Sequence, residues 1–98
     1  MFVVILKYVK PLDEIDAQIA AHRVYLDENY AEGNFIASGA QVPRVGGVIL
    51  VRAMSHTELE AVLAADPLQK AAVVEYQIVE FNPTKVSDRA SELLAQKS

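Results

Sequence analysis

Apolar residues along the chain change their spacing several times, and each change marks an element. Phe2 to Val9 (FVVILKYV) is almost continuously β-branched, aliphatic or aromatic, interrupted at Lys7 and halted by Lys10-Pro11, which predicts a strand. From Asp13 to about Ala31 the spacing becomes helical. Ile15, Ile19, His22, Leu26 and Tyr30 recur at steps of four, three, four and four along one stripe. Asp13, Glu14 and Asp16 fall in the first turn, where carboxylates favour the positive end of the helix dipole. Gly33 stands where a helix stop is needed.

Asn34 to Gln41 predicts a second, weaker strand, and Val42-Pro43-Arg44 a turn. Gly46 to Arg52 (GGVILVR) predicts a third strand with an unbroken apolar centre. Ser55-His56-Thr57-Glu58 matches a capping box, so Ser55 should cap a helix that buries Leu59, Val62 and Leu63. Asp66-Pro67 should end that helix, because proline disfavours the α conformation in the residue before it. Ala72 to Phe81 predicts a fourth strand, and Val86 to Ala95 a short terminal helix. There is no internal repeat or low-complexity tract.

The order βαββαβ plus a tail helix predicts an α+β fold of ferredoxin-like layout, with a four-stranded antiparallel sheet and strands one and three at its centre. The chain reads as one domain over 1–98, with a core of 1–85 and a helical tail of 86–98. Strands one and three are near-continuous apolar runs, as expected when both faces are buried. Two helices cover one face of such a sheet. A second copy of the sheet is the economical cover for the other, so the expectation is a homodimer through the sheet faces.

Composition narrows the setting. The chain has 98 residues, 52% of them apolar, and no cysteine. That excludes disulfides and thiolate chemistry and makes the reducing cytoplasm the simpler location. Net charge is −4 with scattered Lys and Arg, which argues against a nucleic-acid partner. The apolar run after Met1 has no basic segment before it and is too short for a signal or a span, so no membrane role is indicated.

His22 stands in an otherwise apolar stripe. It is either a partly buried histidine satisfied by one hydrogen bond or a general acid or base, since histidine titrates near neutrality. Asp66, at the end of the second helix, opposes the dipole there. It is either ordinary Asp-Pro turn chemistry or the carboxylate that orients His22. Arg44 is either a solvated loop cation or the partner of a ligand carboxylate or phenolate. Tyr8 and Ser38 are polar residues on or near strands, candidates for substrate contact but as readily structural. His56 beside the helix cap reads as solvated. The two histidines give no metal-ligand spacing, so no metal site is expected. Phosphate- and dinucleotide-binding motifs are missing as well, so no cofactor is expected.

The run His22-Arg23-Val24-Tyr25-Leu26, then Gly33, Ser38-Gly39 and Pro43-Arg44-Val45-Gly46-Gly47-Val48-Ile49-Leu50, resembles the YCII-related (YciI-like) family. Asp66-Pro67-Leu68, Glu75-Tyr76 and Glu80-Phe81-Asn82-Pro83-Thr84-Lys85 continue the match, which extends from strand one to Lys85. The resemblance implies a dimeric α+β barrel with an active site built around a histidine and an aspartate, roles that fall on His22 and Asp66. Relatives in this wider fold include lactone isomerases and dehydrohalogenase-like enzymes acting on small ring compounds. Ser38-Gly39-Ala40 and Asp66-Pro67-Leu68 depart from the family's usual Ser-Gly-Pro and Asp-Pro-Phe. Three functions follow as alternatives. One is cofactor-free proton transfer on a small cyclic or aromatic, anionic compound, an isomerisation or elimination. The second is a small-ligand binding module without turnover, and the third an accessory dimeric domain.

Overall fold

A computed structural model of the chain describes residues 1–95, so the last three residues of the 86–98 tail lie outside the described residues. The elements are β1 (Phe2–Tyr8), α1 (Leu12–Ala31), β2 (Phe35–Ala40), β3 (Gly46–Val51), α2 (His56–Ala64), a short α3 (Pro67–Lys70), β4 (Val74–Glu80) and α4 (Asp88–Ala95). The four strands form one antiparallel sheet in the order β2-β3-β1-β4, the ferredoxin-like arrangement with β1 and β3 central. No helix among the described residues is long and apolar enough to cross a membrane.

Alternation along the central strands decides what each face buries. Phe2, Val4 and Leu6 point to the helices, where they meet Ile49, Val51, Phe35, Ile15, Leu59 and Leu63 in one core. Each such side chain, taken fully from water, contributes about 1.5–3 kcal/mol. The register sets Val3 opposite Leu50 and Val79, and Ile5 opposite Val48, on the other face. There Val3, Ile5, Val48 and Leu50 are half-buried and Val79 is exposed. Within one chain, then, β1 and β3 bury alternate residues rather than both faces. Part of the tail borders this open face: Val86 and Ala90 line a small apolar cavity of about 280 Å³ with Ile36 and Leu50.

Two close fits fix the frame. Gly46 faces β1 so tightly that a Cβ there would strike the Leu6 carbonyl oxygen, so glycine is needed for the approach. Gly33 takes φ 78° after α1, and its N–H bonds to the Tyr30 carbonyl. The Ser55 hydroxyl caps α2 as expected, accepting the Glu58 N–H at 3.1 Å.

Helix α1 departs from the simple stripe. Ile15 is buried and Ile19, His22 and Leu26 half-buried, but Tyr30 is exposed, and Tyr25 and Asn29 are buried in its place. The cause is the α2–α3 corner, which gives this end of α1 a polar neighbour. The Tyr25 hydroxyl donates to the Val62 carbonyl at 2.7 Å, and Asn29 donates to the Tyr25 carbonyl at 2.9 Å.

Candidate active site

The side chain that organises the site is Asp66, which has no exposed surface. It does not cap the end of α2, whose last turn closes on Ala65. It opens α3 instead: Pro67 occupies the first turn and the Asp66 carboxylate accepts the Leu68 N–H at 2.9 Å. An aspartate at a helix N-cap with proline after it is a favourable pairing, so the electrostatic cost expected at a helix C-terminus does not arise.

Helix α1 brings His22 onto this carboxylate. Nδ1 of His22 lies 2.8 Å from Oδ1 of Asp66, and the Tyr76 hydroxyl donates to Oδ2 at 2.9 Å. A carboxylate only accepts, so the proton of this bond sits on Nδ1, which leaves Nε2 as the acceptor whenever the imidazole is neutral. The Tyr25 ring stacks beside His22, centroids 6.0 Å apart. Burial first, and the Asp66 charge second, push the phenols of Tyr25 and Tyr76 well above the ordinary value of 10.0. Both hydroxyls are therefore held as donors.

His22, 14% exposed, faces a cleft of about 440 Å³ between α1 and the β2–β3 side of the sheet. Its floor is apolar, from Leu6, Ile19, Leu26, Ile49 and Leu68. Tyr8, Ser38 and Arg44 line the same cleft, so four of the five site residues read from the sequence share one wall system. The fifth, Asp66, does not line it but stands behind His22. Arg44 donates to Asp16 at a short 2.6 Å and lies over the Tyr8 ring, 5.8 Å from its centroid. The bond to Asp16 first, and Tyr8 next, hold the guanidinium pKa above its usual value. Ser38 and Tyr30 share a hydroxyl hydrogen bond of 2.7 Å.

A groove of about 490 Å³ between α1 and the α2–α3 corner is slightly larger. Two of its polar side chains, Tyr25 and Asn29, are already bonded within the protein, and neither histidine reaches it. Of the two, the cleft is the one that His22 lines. His56 lies elsewhere, at 2.9 Å from Glu80 and edge-on to Phe2. Among the described residues no three His, Cys, Asp or Glu side chains converge as a metal site requires.

Sequence reasoning missed Tyr76, Asp16 and the Leu68 N–H. Tyr76 had a usable signal, since Val74, Tyr76 and Ile78 alternate along β4 and the register sets Tyr76 opposite Leu6 on the helix side.

A family model described as the YCII-related domain matches residues 1–82. Curated proteins give no match. Among solved structures, the chain is similar to 5-chloro-2-hydroxyhydroquinone dehydrochlorinase (TftG) from Burkholderia phenoliruptrix AC1100, in complex with 2,5-dihydroxybenzoquinone. That likeness has 21% identity and a TM-score of 0.66, over 84% of this chain and 94% of the other. At this identity it bears on the fold.

Proposed function

Since the chain belongs to the YCII-related family, we propose that it is an enzyme for cofactor-free proton transfer on a small cyclic or aromatic, anionic compound. The reading is carried by one observation, the 2.8 Å bond from His22 to a carboxylate wholly withdrawn from solvent. With Nδ1–H given to Asp66, Nε2 takes a proton from an acidic C–H of the bound ring. The electron pair left on carbon moves onto a neighbouring oxygen, whose charge Arg44 offsets. In an elimination that pair then expels the leaving anion; in an isomerisation Nε2 returns the proton to a different carbon. Asp66 orients the imidazole and balances the charge it gains. A base placed in this way contributes about 10²–10⁴ in rate. Tyr8 and Ser38 contact the substrate.

The dehydrochlorinase similarity supports the elimination branch, so its named compound, 5-chloro-2-hydroxyhydroquinone, belongs in the substrate panel. The working unit in this proposal is a homodimer closed through the open sheet faces, in the cytoplasm. The test is a turnover screen over halogenated hydroquinones and small lactones, run beside a folded His22→Ala variant. Turnover lost in the variant supports the enzyme. Binding without turnover in the wild type would instead assign a ligand-binding module.

A further inference from the structure

The cleft rim carries opposite charges side by side. Arg44, from the β2–β3 loop, and Asp16, from the N-terminal part of α1, both line it and meet through one guanidinium nitrogen and one carboxylate oxygen, 2.6 Å apart. The second Asp16 oxygen, and the guanidinium N–H groups not turned to Asp16 or Tyr8, remain for a ligand. Both side chains are substantially exposed, Asp16 at 58% and Arg44 at 41%, so neither is locked by packing.

This arrangement treats anions unequally. A bare anion reaching for Arg44 must displace Asp16 or sit beside its negative charge. An anion with a hydroxyl on the adjacent atom meets both groups at once, its oxyanion accepting from Arg44 and its O–H donating to Asp16. We infer that Asp16 is a specificity-determining residue, selecting ligands that carry a hydrogen-bond donor next to an anionic oxygen. The inference rests on the reading of the cleft as an anionic-ligand site and narrows the ligand class. Arg23 also lines the cleft and adds a cation that attracts every anion alike, so the discriminating quantity is a ratio rather than one affinity.

The test compares 4-nitrocatechol with 4-nitrophenolate, at a pH where each is a monoanion, by titration followed in absorbance and in the His22 ring resonances. Wild type should prefer the catechol by about two- to fivefold, the range that exposed ion pairs span. In Asp16→Ala the ratio should fall to about one, the catechol losing a partner and the phenolate losing a repulsion. Asp16 is exposed, so the variant keeps the fold, and Asp16→Asn should give the same direction. Equal binding of both probes to wild type, or a preference that Asp16→Ala leaves intact, overturns the inference while leaving the anion-binding reading of the cleft standing. Failure of both probes to move the His22 signals overturns the cleft reading and the inference with it.

Discussion

Nδ1 of His22 and Oδ1 of Asp66 stand 2.8 Å apart, joining the middle of α1 to the first residue of the α3 cap across 44 positions of sequence. The same carboxylate accepts from the Leu68 N–H and the Tyr76 hydroxyl. Three donors on one buried acidic group leave the imidazole little freedom to turn, and they fix which ring nitrogen faces the cleft.

The neutral imidazole of His22 should therefore carry its proton on Nδ1. Two-dimensional 15N–1H NMR of the imidazole reads this directly. In Asp66→Ala the preference for that tautomer should be lost, and stability should fall by at least about 1–3 kcal/mol, the cost of leaving the buried Leu68 N–H alone without its acceptor. A wild-type ring protonated on Nε2 would contradict the bond as drawn.

Alkaline stability should depend on Tyr76. Its phenol is raised above the ordinary 10.0, first by burial and then by the Asp66 charge and hydrogen bond. The folded state therefore holds this proton more tightly than the unfolded chain does. The contribution is complete below about pH 10 and is lost as pH rises beyond it, where the unfolded phenol ionises first. Urea midpoints of the wild type should drop between about pH 9 and about pH 11. Tyr76→Phe should show a shallower drop, and an identical pH slope would contradict the burial argument.

Gly46 and Gly39 should behave oppositely. A Cβ at Gly46 meets the Leu6 backbone, which cannot move without opening the β1–β3 ladder, whereas nothing stands within 4 Å of a Cβ at Gly39. Gly46→Ala should cost at least the ~1–3 kcal/mol typical of overpacking. Gly39→Ala should lie within about 0.5 kcal/mol of wild type, as unobstructed surface changes do. Thermal unfolding of the pair checks the β1–β3 fit.

Much of this was legible in the sequence, for identifiable reasons. The βαββαβ order follows from the switch between apolar runs and helical spacing, and the Ser55 cap from its own four-residue signal. His22 was conspicuous because a polar ring interrupts Ile15, Ile19 and Leu26. Asp66 was found but misplaced. An Asp-Pro pair both halts one helix and starts the next, and only the chain path shows that α3 follows at once. The Tyr25–Asn29 face of α1 was hidden, because its partner, the Val62 carbonyl, is backbone and leaves no mark in composition. The Arg44–Asp16 pair depends on a loop conformation that periodicity does not encode.

The open face should bring two copies together. Val3, Ile5, Val48 and Leu50 form an apolar strip with the exposed Val79 beside it, and soluble monomers seldom leave such strips contiguous over more than a few hundred Å². Sedimentation at micromolar concentration should return twice the 10.7 kDa chain mass. Val3→Lys should shift it towards the single-chain value. A wild type that sediments at 10.7 kDa would refute the pairing.

Proton transfer by His22 can be measured without knowing the net reaction. In deuterated buffer, 1H NMR follows the loss of C–H signal from a panel of small cyclic carbon acids and hydroxylated quinones. At least one compound should exchange faster with wild type than with a folded His22→Gln variant, by about 10²–10⁴ if the ring acts as the base. Exchange at the same rate with both proteins, for a compound shown to occupy the cleft, would contradict the assignment of His22 as the proton carrier.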